Sequence, residues 1–244
     1  WQTLKLAGRS LDLQYYYWKG DLTGRLLCLG LIEAADRGVR VRLLLDDINN
    51  YGFDKTYLAL DSHPNIHVRL FNPSRSREDP FRRGIELIVK YFTATRRMHN
   101  KCWIADGRIA IAGGRNIGDE YFDASETANF QDIDVLAAGK AVKDAEAIFD
   151  RYWNSEAALP IRQLHRIRKP KLGKLRLKLM ADCRSDRAAR FLAMAKCTPG
   201  EASLVLPISR FHWSAEAKMI ADPPEKASGE ARSEWMGERI IELI

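Results

Sequence analysis

The sequence predicts an α/β fold: a mixed, largely parallel sheet with helices on both faces. Three observations lead there. Leu11–Trp18 reads as a strand, LTGRLLCLGLIEAADRG as a helix and Val39–Leu45 as a strand again. A strand–helix–strand run of that length makes parallel neighbours. Ile66–Phe71 offers a third strand after the breaker His63-Pro64. Further on, Asp106-Gly107 has the chemistry of a tight hairpin turn, so Arg108–Ala112 returns antiparallel and the sheet becomes mixed.

Taken in order, Leu11, Leu13, Tyr15 and Tyr17 share one face of the first strand, whose aromatic content favours extended backbone. Asp21 or Thr23 is placed to cap the helix that follows, and Gly38 to end it. Val39–Leu45 stops at Asp46-Asp47, where capping or loop ordering suits the two carboxylates better than a metal site. Phe53–Asp61 is read as a short helix. Pro73–Arg97 mixes arginines with Phe81, Leu87, Ile88, Tyr91 and Phe92, a basic amphipathic segment suited either to an anionic interface or to packing on the sheet. Ile117–Phe130 has no clear period and is expected to loop over the site. Asp132–Ala138 is read as a strand and Lys143–Ala158 as a helix offering Ala147, Ile148, Tyr152 and Trp153 to the core. Strands at Ser203–Ile208 and Glu216–Ala221 and a helix over Arg232–Ile244 complete the reading.

The chemistry concentrates in MHNKCWIADGRIAIAGGRN, residues 98–116. His99, Lys101 and Asp106 are spaced H-x-K-x4-D, and Gly113-Gly114-x-Asn116 follows. On a strand, His99 and Lys101 would share a face. A neutral imidazole beside an ammonium suits attack on a phosphate ester: the ring nitrogen displaces an alkoxide while the lysine neutralises the non-bridging oxygens. The two glycines would let the backbone bring Asn116 beside them. Asp132 or Asp134 is placed to orient the histidine and to stabilise the imidazolium. Asp106, at the turn, is read as structural support. His63, His67 and His165 lack a partner at catalytic spacing, and the first two are assigned to the surface.

H-x-K-x4-D-x6-G-G-x-N resembles the signature of the phospholipase D superfamily. The flanking RRMHNK and GGRNIGDEYFD, with LDLQYYYWKGDLTGRLL, RGVRVRLLLDDINNYGFD, HPNIHVRLFNP and FDRYWNSEAALP, resemble more narrowly the bacterial cardiolipin synthases of the C type. The resemblance implies a phospholipase D-like lobe. It implies transfer of a phosphatidyl group to phosphatidylglycerol, with phosphatidylethanolamine or phosphatidylglycerol as donor, through a phosphohistidine. It also implies a bacterial inner-membrane setting. By the same resemblance, Lys101 and Asn116 hold phosphoryl oxygens and Asp132 orients His99. No cofactor and no metal are called for.

That chemistry needs two such motifs, one histidine attacking phosphorus and the other serving as acid and base. Neither His165 (HRI) nor His212 (HWS) begins a second H-x-K, so the chain holds one half-site. The stretch from Lys218 to Lys226 resembles the opening of a second half. The expected organisation is therefore a lobe over residues 1–160, a basic linker over 161–200 and the start of a second, truncated lobe over 201–244. The partner motif would come from the rest of a longer chain or from a homodimer. Among 244 residues a net charge of +7 and a pI near 9.3 favour anionic partners, membrane surface or nucleic acid. A single-motif nuclease completed by dimerisation, and a non-catalytic module binding nucleic acid, are the competing readings. Cys28, Cys102, Cys183 and Cys197 form no C-x-x-C pair or ligand cluster; Cys28 and Cys102, in apolar-rich segments, are read as buried thiols, and the set suggests a reducing compartment.

Overall fold

The computed structural model describes residues 1–50, 52–74, 97–165, 171–195, 212–227 and 235–241. A seven-stranded sheet forms the centre: β1 (Ser10–Tyr15), β2 (Arg40–Asp46), β3 (Ile66–Phe71), β4 (Cys102–Ala105), β5 (Ile109–Gly113), β6 (Asp134–Ala138) and β7 (Ala158–Pro160). Their spatial order is β6-β5-β4-β1-β2-β3-β7. The sheet is mixed, as expected, but its parallel pairings are confined to β1–β2–β3; the remaining neighbours run antiparallel. A tight turn forces the antiparallel pairing of β4 with β5, whereas β1–β4, β5–β6 and β3–β7 bring together strands joined by longer connections.

Helix α1 (Gln2–Leu6) precedes the sheet. Helix α2 (Leu22–Asp36) starts where Asp21 accepts the Gly24 N–H at 3.1 Å, which resolves the choice of cap. Helix α3 (Asp54–Asp61) and helix α4 (Lys140–Trp153) follow. Because β1 and β2 lie mid-sheet, both their faces are buried. Leu11, Leu13 and Tyr15 join Val41, Leu43 and Leu45 in a core beneath α2 and α3. The opposite face, with Leu44, Cys102 and Ile104, packs on Val142, Ala145, Phe149 and Trp153 of α4. Ala147, expected in the core, is exposed; Ala145 and Phe149 carry the buried stripe instead.

Two charged side chains are built into that second face. Arg42 holds Asp12 through Nε at 2.6 Å and Nη2 at 2.9 Å, and reaches Asp150 of α4 at 2.7 Å. Its guanidinium lies 4.7 Å from the Phe149 ring centroid. A two-pronged pair satisfied on each side can be buried where a lone charge cannot.

Residues 161–200 differ from the expected linker. They include α5 (Ile161–Leu164), α6 (Leu172–Cys183) and α7 (Asp186–Met194), with 166–170 and 196–200 outside the described residues. Leu172, Leu175 and Leu179 recur at helical spacing and pack on the main core, while Arg25 pairs with Asp182 and Arg176 with Asp36. The strand expected over Glu216–Ala221 is not formed; that stretch has no regular secondary structure and does not pair with the sheet. The strand expected at Ser203–Ile208 and most of Pro73–Arg97 lie outside the described residues. The expected terminal helix is present as α8 (Met236–Ile241). His63 is buried, its ring 3.2 Å from Asp36 and accepting the Asn65 N–H, so it is a loop-ordering group and not a surface residue.

Candidate active site

His99 and Lys101 precede β4 instead of lying within it. The ladder to β1 ends at Gln14 opposite Cys102, and the chain leaves the strand register before that pair, although the Lys101 carbonyl still accepts the Gly113 N–H at 3.3 Å. The expected proximity survives without the strand. Lys101 Nζ lies 2.9 Å from His99 Nδ1 and 3.3 Å from Nε2, and donates to the His99 carbonyl at 2.7 Å. The Tyr16 ring sits 4.7 Å from the imidazole and 5.4 Å from the ammonium. His99 is exposed at the rim, whereas Lys101 is only 7% exposed.

The segment is anchored from behind by Asp46, at the end of β2. Asp46 Oδ2 accepts the Met98 N–H at 3.1 Å, Oδ1 accepts the Ile48 N–H at 3.1 Å, and Arg97 lies 3.5 Å away. Burial pushes its carboxyl up to about 6, against the pull of Arg97 and of the two N–H donors. Asp47 accepts the Ser74 N–H. Both aspartates therefore order loops.

Electrostatics suit a neutral imidazole beside a cation. Burial, and then the charge of Lys101, hold the His99 pKa below the ordinary value of 6.5. Burial brings Lys101 down to about 8, with Asp132 opposing the shift. Near pH 7 the lysine remains charged and the histidine is free to present a lone pair.

The remaining motif residues have partners of their own. Asn116 is 5% exposed; its Nδ2 donates to the Tyr121 hydroxyl at 3.1 Å, and its Oδ1 is buried without a hydrogen-bond partner among the described residues. Asp132 lies just before β6 and makes no hydrogen bond to His99 among the described residues; its Oδ1 accepts the Ile133 N–H at 2.8 Å. The expected carboxylate–imidazole contact is thus not formed, and the influence of Asp132 falls on Lys101. Asp134 accepts the Arg115 N–H at 3.3 Å. The paired glycines are required by close approach: a Cβ on Gly114 would lie 2.0 Å from Asp132 Oδ1, and one on Gly113 2.3 Å from the Ile133 carbonyl. Asp106 adopts φ 54° and Gly107 φ 63°, the left-handed backbone through which the chain turns before Ile109 pairs with Ala105. The Asp106 carboxylate accepts from Gly8, Arg9 and Ser10 N–H at 2.8–3.0 Å, tying the hairpin to the chain entering β1. Burial would raise its pKa, but these donors hold it below the ordinary carboxylate value.

A cavity of about 320 Å³ opens beside the pair. Its walls include Gln14, His99, Lys101, Gly113 and Ile148, with Met219–Asp222 on the far side. The Met219–Asp222 wall is strapped to α4: the Met219 N–H donates to Asp144, and the Tyr152 hydroxyl donates to the Asp222 carbonyl at 2.9 Å. No group of three or more His, Cys, Asp or Glu side chains able to hold a metal ion occurs among the described residues. Asn116 is not on this cavity's wall among the described residues.

Residues 1–153 match the family described as "Cardiolipin synthase, PLD-like domain". The chain belongs to this family. Among curated members, cardiolipin synthase C of Escherichia coli (strain K12) is 39% identical over 242 residues, 98% of this chain and 50% of that protein. The major cardiolipin synthase ClsA of Bacillus subtilis (strain 168) is 33% identical over 149 residues, 61% of this chain and 29% of that protein. The chain spans about half the length of the first relative and under a third of the second. Among solved structures, NucT from Helicobacter pylori aligns with a TM-score of 0.47 at 18% identity, over 65% of this chain and 86% of that one. Within the cardiolipin synthase-like domain, three groups at the site escape the motif: Tyr16, Gln14 and Asp46. Alternation in LDLQYYYW does place Asp12, Gln14 and Tyr16 on one face, opposite the leucines, and that was the available signal.

Proposed function

We propose that the chain is one half-site of a phosphatidyltransferase that makes cardiolipin from phosphatidylglycerol and a second phospholipid, phosphatidylethanolamine or phosphatidylglycerol. The observation that carries the reading is the Lys101 ammonium within 2.9–3.3 Å of both ring nitrogens of His99 at the mouth of a cavity. A ring lone pair of His99 bonds to phosphorus as the bond to the leaving headgroup oxygen breaks. That alkoxide takes a proton from an acid supplied by a second motif, in the remainder of a longer chain or in a second copy. The acceptor hydroxyl then returns a proton to the same group, its oxygen bonds to phosphorus, and the phosphorus–nitrogen bond breaks. The two histidines can exchange these roles. Lys101 and Asn116 hold the non-bridging oxygens, Asp132 sustains the charge of Lys101, and Asp106 supports the fold.

The setting we propose is the surface of a bacterial inner membrane, supported by the net charge of +7 and by the lipid-synthesising relatives. No helix among the described residues is long and apolar enough to cross a membrane. The test is phosphatidyl transfer from labelled phosphatidylglycerol, with and without phosphatidylethanolamine, by the parent chain and by His99→Ala. Cardiolipin formed by the parent and abolished by the substitution supports the reading and shows completion by a second copy. Product that persists in His99→Ala refutes it. Cleavage of DNA without lipid transfer would favour the nuclease alternative.

A further inference from the structure

Gln14 is 1% exposed, and neither Nε2 nor Oε1 has a hydrogen-bond partner among the described residues. It nevertheless lies in the centre of the sheet, where an apolar side chain would be expected: its β4 partner is Cys102, its β2 neighbour Leu44. A carboxamide left without partners at such a place costs stability, so its retention calls for a use. The structure supplies one, because Gln14 forms part of the wall of the cavity that His99 and Lys101 open into.

From this placement we infer that Gln14 is a specificity-determining residue that binds a hydroxyl of the substrate headgroup. The inference rests on the reading of this cavity as a phosphoester site. A phosphoryl oxygen only accepts, so it would satisfy Nε2 and leave Oε1 unmet. A hydroxyl both donates and accepts, and an adjacent pair of hydroxyls on a glycerol headgroup meets both ends of one carboxamide. The division of labour is then clear: Lys101 takes the anionic oxygens and Gln14 reads the neutral polyol. The carboxamide carries no charge, so it adds this selectivity without competing with Lys101 for the phosphate. A site built to hydrogen-bond a hydroxyl discriminates strongly against the analogue that lacks it, because the buried groups are then left unpaired.

Two soluble probes isolate the hydroxyls: glycerol 1-phosphate and propyl phosphate, which share chain length and phosphate. Binding to the ¹⁵N-labelled chain is followed by NMR, with the Gln14 side-chain NH₂ pair assigned by its disappearance in Gln14→Met. The parent should prefer glycerol 1-phosphate by about tenfold, with the Gln14 NH₂ pair shifting only for that ligand. Gln14→Met should bind propyl phosphate as the parent does and lose the preference, while its melting temperature stays level or rises because a buried unpaired amide has been removed. Lys101→Met should weaken both ligands. Equal affinity of the parent for the two probes, or a preference retained in folded Gln14→Met, overturns the role of Gln14 and leaves the phosphoester site standing. Failure of the parent to bind either probe overturns the site reading and this inference together.

Discussion

Replacing Lys101 by methionine should stabilise the protein while destroying the site. Lys101 is only 7% exposed and its pKa falls from an ordinary 10.5 to about 8, burial being the main cause. A cation whose folded pKa is depressed opposes folding at every pH below that folded value, because both states are then charged and only one is solvated. The opposition lifts as pH rises through the folded pKa and is gone above the unfolded one. Over the full interval it amounts to at most about 3 kcal/mol. Methionine preserves the apolar stem and removes the charge, so Lys101→Met should exceed the parent by up to about 3 kcal/mol at pH 7, less the hydrogen bond to the His99 carbonyl, about 1 kcal/mol. Between pH 7 and pH 9.5 the gap should narrow by about 2 kcal/mol as the parent sheds its proton. Urea denaturation of both proteins across that range measures the gap directly, and groups common to both cancel in the difference. A variant less stable than the parent at pH 7, or a gap independent of pH, would refute the assignment of a desolvated charge at Lys101.

The same titration bears on ligand binding. Affinity for glycerol 1-phosphate should fall as pH rises through about 8, and Lys101→Arg should push that fall to higher pH in the same NMR titration. Arg42→Ala should cost about 3 kcal/mol in urea denaturation, because Asp12, buried at 3% exposure, is left without its counter-charge; Asp150→Ala, at an exposed partner, should cost less than about 1 kcal/mol. Asp106→Ala should lower stability by about 2 kcal/mol through three unpaired N–H groups. The loss should shrink in acid as the parent's own carboxylate protonates, since a depressed folded pKa stabilises above the unfolded value and fails as pH drops through the folded one. A phosphate-binding defect in Asp106→Ala at a pH where it remains folded would contradict its structural role.

What could be read in the sequence was whatever depends on near neighbours. The strand–helix–strand opening, a cap at Asp21 or Thr23, the Asp106-Gly107 turn and the third strand at Ile66–Phe71 follow from local chemistry; the structure forms each of them and places the cap on Asp21. The pairing of His99 with Lys101 also needed only a spacing of two. Long-range partners were not legible. Nothing in the neighbourhood of Asp46 says that its carboxylate will hold Met98, 52 positions on. The depth of Gln14 depends on β4 covering one side of β1, an antiparallel pairing that no local pattern encodes. Density of Lys and Arg hid the helical leucines of residues 172–179, and a three-residue strand ending at Pro160 is too short to announce itself. The expected contact between Asp132 and His99 went unmet for a related reason: β6 begins two residues later than the apolar pattern suggested, which turns Asp132 towards the glycine pair.

The strap formed by Met219–Asp222 has a consequence for the order of events at the ribosome. His99 and Lys101 emerge early, with the hairpin that carries them, whereas the cavity's far wall is translated about 120 residues later. At about 5–20 residues per second, that interval is on the order of ten seconds. From the completion of α4 until the strap is made, the nascent lobe presents its histidine, its lysine and the bare flank of α4 to the surroundings. Tyr152 and Asp144, which later fasten the strap, are already in place to receive it. The pocket is therefore a late product of synthesis, closed by chain made after the residues that give it its chemistry.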